Sequence, residues 1–343
     1  MSENPVLFHQ KNGVGVITLN QPDSLNSLNF EMISRIRKQL LLWKEDTQIH
    51  VIILKSDLEK ALCAGGDLKE IYQAKKRGDT SFMKAFFKEE YALNQLIFSY
   101  PKPYISLMNG ITMGGGMGIS VHGSYRIVSD RSLLAMPEVF IGFFPDVGAS
   151  YFLNRCPGKT GILLGLSGYR MNAADALYTG LATHYVPEEN LPLLFKSFVE
   201  TDISAYPKEG AHAILEMLSS ASPMVSKLEE NRSAIDSCFD GSDIGGIIAT
   251  LTISKNAWMK NIKNRMESAS PLSLKISHHL LTQAKKKTFS ETMDLELDLA
   301  YRFFENEETL EGIRSLIIDK DRNPNWKYRS IEDVPESMVK SYF

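Results

Sequence analysis

The chain has 343 residues, 43% hydrophobic and 23% charged, with a formal net charge of -3. That is enough to bury one large core or two smaller ones, and the weak charge without a Lys/Arg stripe argues against a nucleic-acid partner. No apolar run reaches transmembrane length, so no membrane partner is expected. Cys63, Cys156 and Cys238 are too few and too scattered for a disulfide framework or a zinc site, which points to a reducing compartment. The start of the chain shows no basic segment leading into an apolar core, so the expected location is cytoplasmic, with a trimmed organellar presequence left open.

In chain order, Val14–Leu19 reads as a strand after a turn at Asn12-Gly13. Phe30, Ile33, Ile36, Leu40 and Leu41 recur at helical spacing and predict a helix over about 29–44. The nearly continuous apolar run Ile49–Leu54 predicts a strand covered on both sides. A helix is expected from near Leu68 and another over about 80–99, stopped by Pro101 and Pro103. Tyr104–Met108 resumes as a strand, Met113–His122 is expected as a helix of small residues, and Tyr125–Val128 and Leu133–Ala135 as short strands. Beyond Tyr206-Pro207 the apolar spacing favours helices to the end. The organisation expected is a core over residues 1–205 and a helical region over 206–343.

The segment Met136-Pro-Glu-Val-Phe-Ile-Gly-Phe-Phe-Pro-Asp-Val-Gly148 sets Glu138 and Asp146 among apolar and turn-forming residues. Burying a carboxylate is costly unless it is bonded or neutralised, and apolar neighbours raise its pKa, as acid–base catalysis requires. Two readings stand for each. Glu138 is a nucleophile or general base, or a helix-terminal carboxylate satisfying free N–H groups. Asp146 positions water, a proton or a substrate hydroxyl, or caps a helix beginning at Ala149.

Two glycine segments, Ala64-Gly-Gly-Asp67 and Met113-Gly-Gly-Gly-Met-Gly118, each lie between a strand and a helix. They can present bare N–H groups to a carbonyl oxygen gaining charge, or simply allow tight turns and close packing. Neither is a phosphate loop or a dinucleotide fingerprint. Asp67 is expected to cap the next helix, and His122, Cys63 and Cys156 to be core residues. His278-His279 lacks an acidic ligand pattern, and Arg155 and Lys159 are ordinary surface charges that could also meet phosphate.

These residues together resemble the crotonase, or enoyl-CoA hydratase/isomerase, superfamily. The resemblance rests on Ala64–Asp67, Asn109–Gly123 and Ala135–Gly148, extends through Gly180–His184 to Glu311–Arg314, Ile318–Asp321 and Pro324–Trp326, and so spans nearly the whole chain. It implies an α/β fold, a crotonase-like spiral of ββα units with a carboxy-terminal helical region. It also implies an acyl-CoA thioester as substrate, with coenzyme A entering as part of it and no separate cofactor or metal. A homo-oligomer stays open.

Carried over, the oxyanion donors fall at Gly66 and Gly115. The backbone of Leu62, Cys63, Ala64 and Gly65 meets the adenine, and Glu138 and Asp146 are the catalytic carboxylates. Hydratases of the superfamily carry a second catalytic glutamate where this chain has Gly118. Asp146 stands as it does in the thioester-cleaving members. The expectation is therefore hydrolysis of a short branched 3-hydroxyacyl-CoA such as 3-hydroxyisobutyryl-CoA. The alternatives are enoyl-CoA hydration or isomerisation, and a non-catalytic acyl-CoA-binding homologue.

Overall fold

Nine strands build two sheets in the computed structural model, which describes residues 4–343. They are β1 (Val6–Lys11), β2 (Val14–Leu19), β3 (Val51–Ser56), β4 (Ala61–Cys63), β5 (Tyr104–Met108), β6 (Ile111–Met113), β7 (Tyr125–Val128), β8 (Leu133–Ala135) and β9 (His184–Tyr185). The larger sheet has the order β1-β2-β3-β5-β7-β9, and the smaller one β4-β6-β8. The β1–β2 hairpin is antiparallel, turning at Asn12 and Gly13 with positive φ. In the larger sheet β2, β3, β5, β7 and β9 run parallel. Every residue of β2 and β5 is buried, as a parallel sheet covered on both faces demands.

The chain forms two compact units, each made of three segments. The first comprises the segment ending at Gly66, Ala92–Leu134 and Arg170–Ser226. On one face of its large sheet, Val14, Val16, Val51, Ile53, Ile105, Leu107 and Ile127 alternate inward. They meet Leu194, Phe198, Ile214 and Leu215 from the helices Leu191–Glu200 and Pro207–Leu218. The second unit comprises Asp67–Tyr91, Ala135–Tyr169 and Lys227–Phe343. It is largely helical, and its aromatic core joins Phe87, Phe143, Phe144, Phe303 and Phe304 at centroid distances of 4.5–5.8 Å.

The helices Phe30–Glu45, Leu68–Lys76 and Thr80–Phe98 lie where periodicity placed them. The expected helix over 113–122 shrinks to a turn at Gly115–Gly118: Met113 ends β6, whose Thr112 pairs with Cys63 of β4, and Ile119 already caps the turn. Glycine's low helix propensity lets the pairing win. Among the described residues no helix is long and apolar enough to cross a membrane.

Candidate active site

In the first unit, β4 and β6 run parallel and bring both glycine segments to the same end of the small sheet. A side-chain carbon built on Gly65 would stand 4.0 Å from the Gly115 nitrogen. Among the described residues neither the Gly66 nor the Gly115 N–H donates a hydrogen bond. Gly115 is the first residue of its helical turn, where N–H groups have no intrahelical acceptor. Gly116 is required by close approach: a Cβ there would lie 2.4 Å from the Cys63 carbonyl oxygen. Of the backbone at Leu62–Gly65, the Leu62 carbonyl accepts from Asn26 Nδ2 at 3.1 Å, and the Ala64 N–H donates to Leu25 O at 3.0 Å.

The carboxylates belong to the second unit. Glu138 opens a 3-10 turn, Glu138–Ile141, and is only 6% exposed, as is Asp146. Glu138 Oε2 is buried with no hydrogen-bond partner. Burial, first, and then the Asp146 charge push its pKa well above the usual carboxylate range. Oε2, at least, is not spent on the free N–H groups at the start of that turn. Asp146 accepts from the Tyr91 hydroxyl at 2.8 Å. Burial raises its pKa to about 7 despite that bond. It does not cap the helix Ala149–Phe152, whose N-cap is Gly148.

Two further acids complete the cluster, and neither was singled out from sequence. Glu90 is 3% exposed, and burial followed by the Asp146 charge raises its pKa strongly. Its signal was present: with Met83 and Phe86 it lies on the apolar stripe of Thr80–Phe98, seven and four residues on. One turn further, both amide atoms of Asn94 are buried and unpartnered. Glu296, fully buried, sits on the helix Phe289–Glu305, which starts at a Thr288/Glu291 capping box.

Glu296 holds the backbone beyond Asp146. Its Oε2 accepts from Gly148 N at 2.6 Å, and its Oε1 from Ser150 N at 2.9 Å and Ser150 Oγ at 2.6 Å. The intervening Val147 has φ +54°, a left-handed conformation that costs a β-branched residue about 1–3 kcal/mol. Burial lifts the Glu296 pKa to about 8 against the pull of these donors. Glu296→Ala would leave three buried donors without an acceptor, at ~1–3 kcal/mol each. We expect a clear fall in the urea midpoint with an unchanged slope; an unaltered midpoint would remove Glu296 from this role.

The distal motif braces the Glu138 turn. A Cβ on Gly312 would fall 2.2 Å from the Ile141 carbonyl carbon, and Thr309 Oγ1 donates to Gly142 O at 2.8 Å. Arg314 forks onto Glu311 at 2.8 and 2.9 Å and reaches Asp319 and Asp321 at 2.6 Å each. These contacts tie the chain beyond the helix Glu308–Ile313 to that helix.

The remaining candidates resolve more simply. Asp67 caps its helix through Lys69 N and Glu70 N. Cys63, Cys156 and His122 are buried. Arg155 lies over the Tyr151 ring, and Lys159 pairs with Asp240 at 2.8 Å. His278 is buried on the helix Pro271–Ala284.

The family model described as enoyl-CoA hydratase/isomerase matches residues 14–343. A Rattus norvegicus protein named mitochondrial 3-hydroxyisobutyryl-CoA hydrolase is 41% identical, the alignment covering 98% of this chain and 88% of the relative. One of the same name from Xenopus tropicalis is 39% identical, over 96% and 86%. Among solved structures, a carnitinyl-CoA dehydratase from Mycobacterium thermoresistibile superposes with a TM-score of 0.92 at 35% identity, covering 99% of this chain and 96% of that one. An enoyl-CoA hydratase from Rhodobacter sphaeroides gives 0.91 at 35%, over 99% and 97%. With free glycine N–H groups in one unit and buried acids in the other, this chain belongs to the enoyl-CoA hydratase/isomerase family, and its fold is the crotonase fold.

Proposed function

We propose that this chain hydrolyses 3-hydroxyisobutyryl-CoA, or a closely similar short 3-hydroxyacyl-CoA, to the free acid and coenzyme A. The observation that carries the reading is the Glu138–Asp146 pair: two buried carboxylates, one with an oxygen, Oε2, that has no hydrogen-bond partner and the other accepting from the Tyr91 hydroxyl. The names of the relatives supply the substrate class. Coenzyme A enters with the substrate, and the proposed chemistry draws on no other cofactor. The backbone at Leu62, Cys63, Ala64 and Gly65 is assigned to the adenine end. Cys63, Cys156 and Cys238 are buried and, among the described residues, form no disulfide, which suits a reducing setting, whether cytoplasm or the organelle named for the relatives.

In this reading the Gly66 and Gly115 N–H groups bind the thioester oxygen and stabilise the tetrahedral oxyanion, each donor being worth ~2.7–4 kcal/mol. Glu138 acts by one of two routes. As a nucleophile its carboxylate displaces the CoA thiolate, which takes up a proton, and water then cleaves the mixed anhydride. As a general base it takes a proton from water as that water attacks the carbonyl. Asp146 orients the 3-hydroxyl or passes the proton. Heavy-oxygen water in a single turnover separates the routes: label absent from the first acid product and present in the Glu138 carboxylate marks the anhydride. Gly116→Ala, which forces a Cβ against the Cys63 carbonyl, is expected to shift the neighbouring donor and lower kcat/KM by ~10²-fold. Unchanged kcat/KM would separate the glycine triplet from catalysis.

A second reading, water addition to an enoyl-CoA, is favoured by one observation. Glu90 gives the acid cluster a second glutamate even though residue 118 is glycine. A thiol-release assay on 3-hydroxyisobutyryl-CoA, 3-hydroxypropionyl-CoA and crotonyl-CoA, with product analysis, decides between them. The proposal expects free thiol and 3-hydroxy acid from the first two. Consumption of crotonyl-CoA with the thioester retained, and no thiol from the others, would establish the second reading.

A further inference from the structure

Away from the carboxylate cluster, within the first unit, three side chains with metal-binding atoms converge. His184 lies on β9, the edge strand of the large sheet, and His212 and Glu216 lie one turn apart on the helix Pro207–Leu218. Their ligand atoms all fall within 4.8 Å of one another. Ile214 and Leu215 of that helix are buried in the core, whereas His212 and Glu216 are exposed. The spacing i, i+4 puts both on one helical face.

The His184 geometry is the second observation. Its Nδ1 stands 2.8 Å from Thr183 Oγ1. That hydroxyl accepts the Arg126 N–H at 2.8 Å and has the Arg126 carbonyl 3.2 Å away for its own proton. With the proton there, Thr183 receives Nδ1–H, and the hydrogen-bond network assigns a bare Nε2. Such an orienting bond on the far nitrogen is what metal-bound imidazoles show. Nε2 faces Glu216 Oε1 at 3.5 Å, too long for a good N–H···O bond. It does match the ~3.3 Å between two ligands of a tetrahedral ion bound at about 2.05 Å.

We propose that His184, His212 and Glu216 form a site for a divalent transition-metal ion of the zinc type, which clamps the helix Pro207–Leu218 onto the edge strand β9. Two imidazoles and one carboxylate suit zinc, nickel or cobalt and not magnesium or calcium, and water completes the coordination. The nearby positive charge of Arg126 is turned onto the carbonyls of Gly123, Gly180 and Leu181. The site is structural and stands independently of the proposed hydrolysis.

The test is calorimetric titration of the full-length, chelator-treated protein with zinc chloride, beside His212→Ala and Glu216→Ala. Both side chains are exposed, so both variants should fold with the parent's melting temperature in chelator. The proposal expects one ion per chain, a higher melting temperature with zinc, and affinity lowered at least about tenfold in each variant. A cobalt spectrum of nitrogen and oxygen ligation, lost in both variants, would support it. No binding at millimolar zinc, or equal affinity in parent and variants, would overturn it.

Discussion

Glu138→Gln is expected to lower kcat for thiol release by about 10²–10⁴-fold while leaving the fold intact. The substitution keeps the shape of a side chain that is 6% exposed but removes the ionisable group. Its effect on stability should run the opposite way to its effect on activity. Glu138 has a folded pKa well above its ordinary value, so the folded state holds a proton that the unfolded chain releases above its own pKa. The stabilisation from that proton is present at low pH and lost as pH rises through the folded value. Removing the group should therefore raise the melting temperature at alkaline pH relative to the parent. Near-parental turnover in Glu138→Gln would take this residue out of both proposed routes, and a large drop in melting temperature would make its activity loss uninformative.

Asp146→Asn is expected to give the second large effect, again about 10²-fold or more in kcat, together with a displaced pH profile. The Asp146 charge is one of the causes that raise Glu138, after burial itself. The raised pKa values of both carboxylates predict that the parent's acidic limb of kcat/KM lies above the ordinary carboxylate range. Without the neighbouring charge Glu138 should ionise more readily, so the residual activity of the variant should persist further into acid. Steady-state rates across pH measure this directly. A limb that stays in place, with only the rate lowered, would mean that the two carboxylates do not share their titration and that Asp146 acts on substrate alone.

Much of this arrangement is legible in the residues, and the failures have physical causes. Phe30, Ile33, Ile36 and Leu40 announced the helix Phe30–Glu45, although Leu41, counted on the same stripe, is 41% exposed. Apolar continuity found β3 and β5 because a strand buried on both faces carries little else. The glycine segment misled because β6 is a matter of pairing with β4, which local pattern does not encode. Glu138 and Asp146 stood out by their apolar surroundings. Their roles, however, came from the family resemblance, since spacing alone left a helix-terminal use open for Glu138 and favoured capping for Asp146.

Glu90 and Glu296 escaped because each sits on a helix among other charges. Lys88-Glu89-Glu90 looks like a solvated face until helical phase is counted from Met83. Glu296 likewise falls four residues beyond Thr292 and seven before Phe303, all three buried on one helix face. An acid in phase with the apolar stripe is the signal to look for. Its partners, Gly148 and Ser150, are close to 150 residues away in sequence and no reading of the helix alone would have found them. The interleaving of three segments in each unit is likewise set by tertiary contacts and leaves no mark on composition.

The most direct measurement is a crystal structure of Glu138→Gln with intact 3-hydroxyisobutyryl-CoA. The account predicts the thioester oxygen within ~3.1 Å of both the Gly66 and Gly115 nitrogens. It also predicts the residue 138 side chain about 3–3.5 Å from the acyl carbon or from a water poised to attack it. A bound thioester whose oxygen meets neither nitrogen, or whose acyl carbon lies beyond reach of residue 138 and any water it holds, would contradict it.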